Sequence, residues 1–416
     1  MPSTPHYVTA VISALNFRSP QPELLQTLDD PEWQQLLVFG DQMHLTIPLV
    51  QACSNYCPSW VRSKVERNIA DNAQRFQMIK TTYAEIADVL RKADVDHLVL
   101  KGFTKTPEYA PDPRHRIQSD IDLFCPSETV FRARDALSAL GFRAQHEVDD
   151  TCEHHLPPLR RKTEWQWRGN AYDPEMPPAI ELHHCLWDNE TARCGPQTLN
   201  DFWQRRVERK LEEITFSALC PIDSLGCSAL NLLRDLLRFG IVTSQVYELA
   251  WFLHRNSRNK EFWNRWTEMH DGEVRRLEAV SFLLAKTWFH CDLPEAAETE
   301  IEHLPLGTQR WFESPATCAS PMGWLRPNEE RVWLHSSLME TAAEKRKVVF
   351  DRLFPRILPV DPAIARKIPN SFPTDESVSY RYSRYALYLF TRATYRLWVL
   401  PTTLWHGFCW WWSARS

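Results

Sequence analysis

Glycine is scarce in this chain, at 11 of 416 residues, and no Gly-rich run of the phosphate-cradling kind is present. Proline is plentiful by comparison, at 29, and the pair of numbers implies helices joined by stiff loops. There are 11 cysteines but no C-x-x-C pair, which argues against a redox dithiol or a paired zinc knuckle. Basic charge is not in excess. Lys and Arg number 48 against 53 Asp and Glu, a net of −5, which argues against a protein held on nucleic acid by charge alone. The opening stretch, MPSTPHYVTAVISALNF, lacks the basic start and long apolar centre of a secretory leader. Reduced thiols in a cytoplasm are therefore expected. Internal repeats and low-complexity segments are absent too.

What is present suits a soluble globular protein of two to three folding units, with 44% hydrophobic and 24% charged residues. Residues 1–20 read as poorly ordered. From residue 30 to 95, apolar residues recur at intervals of three and four, as in Ile69, Ala73, Phe76, Ile79, Tyr83, Ile86 and Leu90, which predicts two to four amphipathic helices. DHLVLKG then reads as a short apolar strand. PSETVFRARDALSALGF reads as a helix with Ser127 as N-cap and Gly141 as its stop. AIELHHCLWD reads as another strand. Helical periodicity returns over 220–295, and AAEKRKVVFDRLFPRILPV reads as a helix that breaks at Pro355. Cys53 and Cys57 fit successive turns of one helix.

The chemistry concentrates in SDIDLF. A strand points residues i and i+2 the same way, so Asp120 and Asp122 share one face while Ile121 and Leu123 take the other. Two crowded carboxylates repel, and a buried pair needs a cation between them. Glu181 in AIELHH stands in the same phase between Ile180 and Leu182. Asp120, Asp122 and Glu181 on adjacent strands would form a three-carboxylate nest suited to Mg²⁺ or Mn²⁺. Lys101 and Gly102 end the preceding strand, and Arg116 lies four residues before Asp120. They place positive charge and a close-approach glycine beside the acids, the combination that a nucleoside triphosphate requires. His183 shares the Glu181 face and is a candidate for orienting a phosphate or carboxylate. His155 is a similar candidate. Cys152, His154 and His155, together with His183, His184 and Cys185, offer zinc-type donors, but the loop between the two groups is long and the usual short ligand spacing is lacking.

These residues resemble the nucleotidyltransferases of the DNA polymerase β superfamily, and more closely a bacterial group described as uncharacterised nucleotidyltransferases. The resemblance is carried by LKG, YAPDPRHR, SDIDLF, ALGF and IELH, strongly over residues 30–190 and more loosely beyond. It implies an α+β fold: a polymerase-β-like core of mixed or antiparallel sheet with helices, flanked by N-terminal and C-terminal helical regions. The implied division is 20–91 helical, 92–215 catalytic core, 216–300 helical and 301–416 helical with an aromatic tail. Carried over by position, Asp120 and Asp122 would be metal ligands, and Glu181 the third ligand or the general base on an acceptor hydroxyl. Lys101, Gly102 and Arg116 would hold the triphosphate. Phe103 follows Gly102 where members of the superfamily commonly have Ser, and the gap from Gly102 to Asp120 is longer than in many of them.

The implied activity moves a nucleoside monophosphate from an NTP to a hydroxyl on a small molecule, glycan or peptide, without a nucleic-acid template. The alternatives are an inactive nucleotide-binding scaffold and a related transfer from a nucleotide sugar. One feature lies outside this reading. YRLWVLPTTLWHGFCWWWSARS carries an apolar stretch, Leu397 to Trp412, shorter than the ~20 residues of a membrane span and interrupted by Pro401 and Gly407. It reads either as a helix whose aromatics cover the core or as a contact with a membrane surface.

Overall fold

Residues 59–92 keep apolar side chains on one stripe, and they form a single 34-residue helix. It belongs to a computed structural model that describes residues 4–144, 155–187, 199–238, 240–314, 331–354 and 378–413. The chain divides into two units. The first comprises residues 1–163 and 169–303, the second 164–168 and 304–416.

In the first unit, α1 (His6–Ala14), α2 (Asp30–Gln42), α3 (Thr46–Cys53) and the long α4 (Ser59–Lys92) precede the sheet. The expectation of disorder over residues 1–20 fails for the described ones. Val8, Val11 and Ala14 are buried on one side of α1, and Phe17 N donates to Phe289 O at 2.9 Å. Cys53 and Cys57 do not share a helix, because a 3₁₀ turn over Ser54–Tyr56 separates them.

The sheet has seven strands: β1 (Leu98–Val99), β2 (Asp120–Phe124), β3 (Phe142–Ala144), β4 (Leu159–Arg161), β5 (Ala179–His183), β6 (Val207–Leu211) and β7 (Ile214–Ala218). Their order is β3-β4-β5-β2-β1-β7-β6. β2 runs parallel to β5 and β1 parallel to β7, while the other pairs are antiparallel, so the sheet is mixed. Ile121 and Leu123 of β2 and Ile180 and Leu182 of β5 bury together with Ile79, Tyr83, Ile86 and Leu90 of α4. Val130, Ala133 and Leu137 of α5 (Val130–Ala139) join the same cluster. Gly141 follows α5 at φ +83°, as its stop signal implied. Ser127 does not cap this helix. It lies two residues too early, and its hydroxyl meets His184 O at 3.5 Å. The alternate side chains of the strands face the opposite way. There Leu98, Leu100 and Phe124 pack with Phe202, Leu219 and Cys227. Asp120 and Asp122 share the phase of Phe124.

The helices that follow are α6 (Pro221–Arg238), α7 (Thr243–Asn256), α8 (Lys260–Met269), α9 (Gly272–Phe289) and α10 (Glu295–Glu302). A buried ionic network ties α6 to α9. Arg205 donates to both Asp223 oxygens at 2.9 and 2.7 Å. His270 Nδ1 lies 3.0 Å from Glu278 Oε1, and its Nε2 lies 3.6 Å from Asp223 Oδ1. Trp266 Nε1 donates to Glu278 Oε2 at 2.8 Å.

The second unit holds α11 (Leu306–Glu313), α12 (Arg331–Leu338), α13 (Ala342–Leu353) and α14 (Val378–Ser413). α13 ends before Pro355, which lies outside the described residues. Pro401 and Gly407 do not interrupt α14, which runs through both. Pro401 is exposed, so the backbone acceptor it leaves without an amide partner can be met by water. Gly407 packs under Trp333, whose Cη2 would lie 2.7 Å from any Cβ placed there. Among the described residues, no helix is long and apolar enough to cross a membrane.

Candidate active site

The parallel register of β2 and β5 sets Asp122 opposite Glu181. Asp120 pairs with Ala179 in the same register, two residues before Asp122 on the same face of the strand. Among the described residues, Asp122, Glu181 and His183 converge, with one ligand-type atom from each within 4.8 Å of the others. His183 Nε2 stands 2.8 Å from Asp122 Oδ1 and 3.6 Å from Glu181 Oε2. Two carboxylates with an imidazole fit a divalent cation, and they accommodate Mn²⁺ as well as Mg²⁺. His155 pairs with His183 in an isolated antiparallel bridge, their rings 5.2 Å apart. His184 and Cys185 are part-buried beyond the strand, while Cys152 and His154 lie outside the described residues.

The turn after β1 delivers the lysine. Leu100 N donates to Asp122 O at 2.9 Å, and the backbone then turns over with Lys101 at φ +38° and Gly102 at φ +55°. Thr104 closes this turn from its hydroxyl to Lys101 O at 2.7 Å. Lys101 Nζ thereby comes to 2.9 Å from Asp122 Oδ1. Gly102 sits against the Gln118 side chain, whose Cδ would be 2.7 Å from an added Cβ. Gln118 Nε2 in turn donates to Asp120 O at 2.7 Å.

The electrostatics follow from this geometry. Burial opposes charge on Asp122, but Lys101, followed by the His183 hydrogen bond, outweighs it and holds the carboxyl well below its ordinary range. Burial, with the negative charges of Asp122 and Glu181, pushes Asp120 up to about 7. Burial likewise opposes the Glu181 charge, and the His183 contact brings that carboxyl down. Desolvation opposes the charge on half-buried Lys101, but Asp122, Glu181 and Asp120 all favour its charged form and shift it upward.

Beside these acids lies a cavity of about 360 Å³. Its lining includes Lys101, Gly102, Arg116, Asp120 and Asp122 together with His44, Tyr109, Tyr247, Glu248 and Trp251. Arg116 reaches the cavity, but its Nε donates to Glu248 Oε1 at 2.8 Å. His44 sits at φ +56°, and burial followed by the Arg116 charge lowers it to about 4, so its imidazole is neutral. Two buried polar atoms of cavity-lining residues, Gln245 Oε1 and Trp251 Nε1, have no hydrogen-bond partner. One accepts and the other donates, as a ligand with both functions would require.

Sequence reasoning missed three contributors. Arg75 of α4 is fully buried and donates from Nε to Gln118 O at 2.6 Å, and from Nη1 to Asp173 O at 2.9 Å and Met176 O at 3.2 Å. It therefore braces the loops that lead into both β2 and β5. Asn72, one helical turn earlier, donates to Arg114 O at 2.6 Å and Arg116 O at 3.1 Å. Arg160 on β4 feels the charges of Asp120 and Glu181, and its Nε is buried without a partner. The aromatic wall of the cavity, which includes Tyr109, Tyr247 and Trp251, escaped sequence reasoning as well. Long-range pairing brings these groups together, and only the polar interruptions on the buried stripe of α4 hinted at any of them.

A family model described as an uncharacterised nucleotidyltransferase matches residues 29–290. No curated protein and no solved structure matches the chain.

Proposed function

Since the chain belongs to this uncharacterised nucleotidyltransferase family, we propose that it transfers a nucleoside monophosphate from an NTP to an acceptor hydroxyl with a divalent cation, Mg²⁺ or Mn²⁺. The hydroxyl oxygen bonds to the α-phosphorus, the bond from that phosphorus to the pyrophosphate oxygen breaks, and the hydroxyl proton passes to a carboxylate of the site. Asp122, Glu181 and His183 would hold the cation, with Asp120 beside them at the cavity wall. The cation, when bound, neutralises charge that develops on the transferring phosphoryl group. Lys101 and Arg116 supply fixed positive charge, and Gly102 lets the backbone approach the phosphates. Tyr247 and Trp251 offer flat faces for a base or an acceptor.

The observation that carries this reading is Asp122, in register with Glu181 and itself at the wall of a cavity that Lys101 and Asp120 also line. Calorimetry with each NTP and Mg²⁺ or Mn²⁺, on wild type and Asp122→Asn, tests it. Metal-dependent binding that disappears in the variant is the expected result. Wild-type protein that binds no NTP with either metal would overturn the reading. The ion pair between Lys101 and Asp122 favours a second reading, a nucleotide-binding scaffold whose acid is already neutralised. That protein would bind an NTP equally well in chelator, and would form no covalent product with any acceptor.

A further inference from the structure

We propose that α14 is a membrane-surface helix that docks the chain on anionic lipid headgroups. Leu397, Pro401, Leu404, Trp405, Phe408 and Trp412 are spaced so that they fall on one face of α14. Trp398, Trp405, Phe408 and Trp412 are 79%, 63%, 51% and 64% exposed. Trp405 stacks on Phe408 at 6.0 Å, and Phe408 meets Trp412 at 6.2 Å, which makes a continuous aromatic ridge. Another face of the helix does the packing. Trp333 Nε1 donates to Thr403 O at 3.1 Å, Trp410 Nε1 donates to Gly307 O at 2.7 Å, and Gly407 lies under the Trp333 ring. α14 is thus seated within its own unit by one stripe while the ridge points outward. Aromatics that merely covered the core would be on the packed stripe.

Charge selects the occupant. The α14 sequence carries Arg381, Arg384, Arg392 and Arg396 and not one Asp or Glu. Residues 304–416 hold fifteen Lys and Arg against nine Asp and Glu, a net of +6 in a chain whose total is −5. α13 repeats the pattern, with Phe350 and Phe354 exposed among Lys345, Arg346, Lys347 and Arg352. A second copy of the chain would bring like charge against like. An anionic bilayer surface brings opposite charge, and its headgroup zone is where indole rings and guanidinium groups partition together.

Sedimentation of the full chain with vesicles of phosphatidylcholine alone, and of phosphatidylcholine with phosphatidylglycerol, tests the proposal. The anionic vesicles should retain roughly tenfold more protein, less as salt rises, and brominated acyl chains should quench tryptophan emission. The double variant Trp405→Ser/Phe408→Ser should lose at least about tenfold in binding. Its thermal midpoint should stay that of wild type, since both rings are exposed. Wild type that stays off both vesicles overturns the proposal, as does a variant that binds as wild type does. So does a wild-type dimer that the variant splits and that never sediments with lipid.

Discussion

Lys101 Nζ lies 2.9 Å from Asp122 Oδ1, and the lysine supplies counter-charge to the most buried acid of the site. Lys101→Met removes that charge and leaves Asp122 and Glu181 with His183 between them. Stability at neutral pH should fall by roughly 1–3 kcal/mol. Mn²⁺ should then raise the thermal midpoint of the variant more than that of wild type, because the cation replaces what the lysine supplied. Thermal unfolding with and without Mn²⁺ makes the comparison, and equal shifts in both proteins would contradict it.

Gly102→Ala puts a Cβ at φ +55° and against the Gln118 amide. The left-handed backbone alone should cost about 1–2 kcal/mol. Displacing Gln118 also releases its bond to Asp120 O. Urea unfolding of Gly102→Ala and of Gly102→Ala/Gln118→Ala separates the two effects. The double variant should recover the steric part and keep the backbone part.

Arg75→Met should destabilise the protein by roughly 3–5 kcal/mol, because three backbone carbonyls lose their buried donor. Amide hydrogen exchange should show faster opening at residues 118–122 and 173–181 together. Acceleration of only one of these loops would show that Arg75 does not couple them.

His270 carries the alkaline side of the pH dependence. Burial opposes its charge, but Glu278 and Asp223 win and raise its pKa from 6.5 to about 9. A raised folded-state pKa means that the stabilisation is fully present below about pH 6.5 and is lost as pH climbs through about 9. The groups around it are Asp223, Glu278, Arg205 and Arg275. The thermal midpoint should therefore fall between neutral pH and pH 9 in wild type. His270→Gln should start lower and show a flatter slope over the same range. An unchanged slope would place the alkaline loss elsewhere.

The carboxylate face was legible because a strand alternates strictly: Ile121, Leu123, Ile180 and Leu182 mark the buried back, so the acids between them must share the other side. Which acid meets which was not legible. Pairing register decides that, and it gave Asp122 the Glu181 partner and Asp120 an alanine. Nothing local announces that the Arg75 and Arg160 guanidinium groups are engaged inside the fold, since most basic residues are exposed. The cavity draws on residues 44–52, 101–122 and 242–251, and no window of sequence contains all three. α1 was misread because a short amphipathic helix has weak intrinsic stability and forms here through its buried stripe. Pro401 was misread as a break because the rule against proline assumes a carbonyl with no access to water.

The bonds of Arg75 span 43, 98 and 101 positions of sequence. On the ribosome, α4 emerges long before Asp173 and Met176, so its guanidinium must wait, solvated, for acceptors that have not yet been made. The two strands that bear the acids cannot be locked together until about a hundred further residues have been added. Contacts of this separation form more slowly than the local bonds of α4. A nascent chain stalled before residue 173 has the long helix without the grip that gives it its purpose.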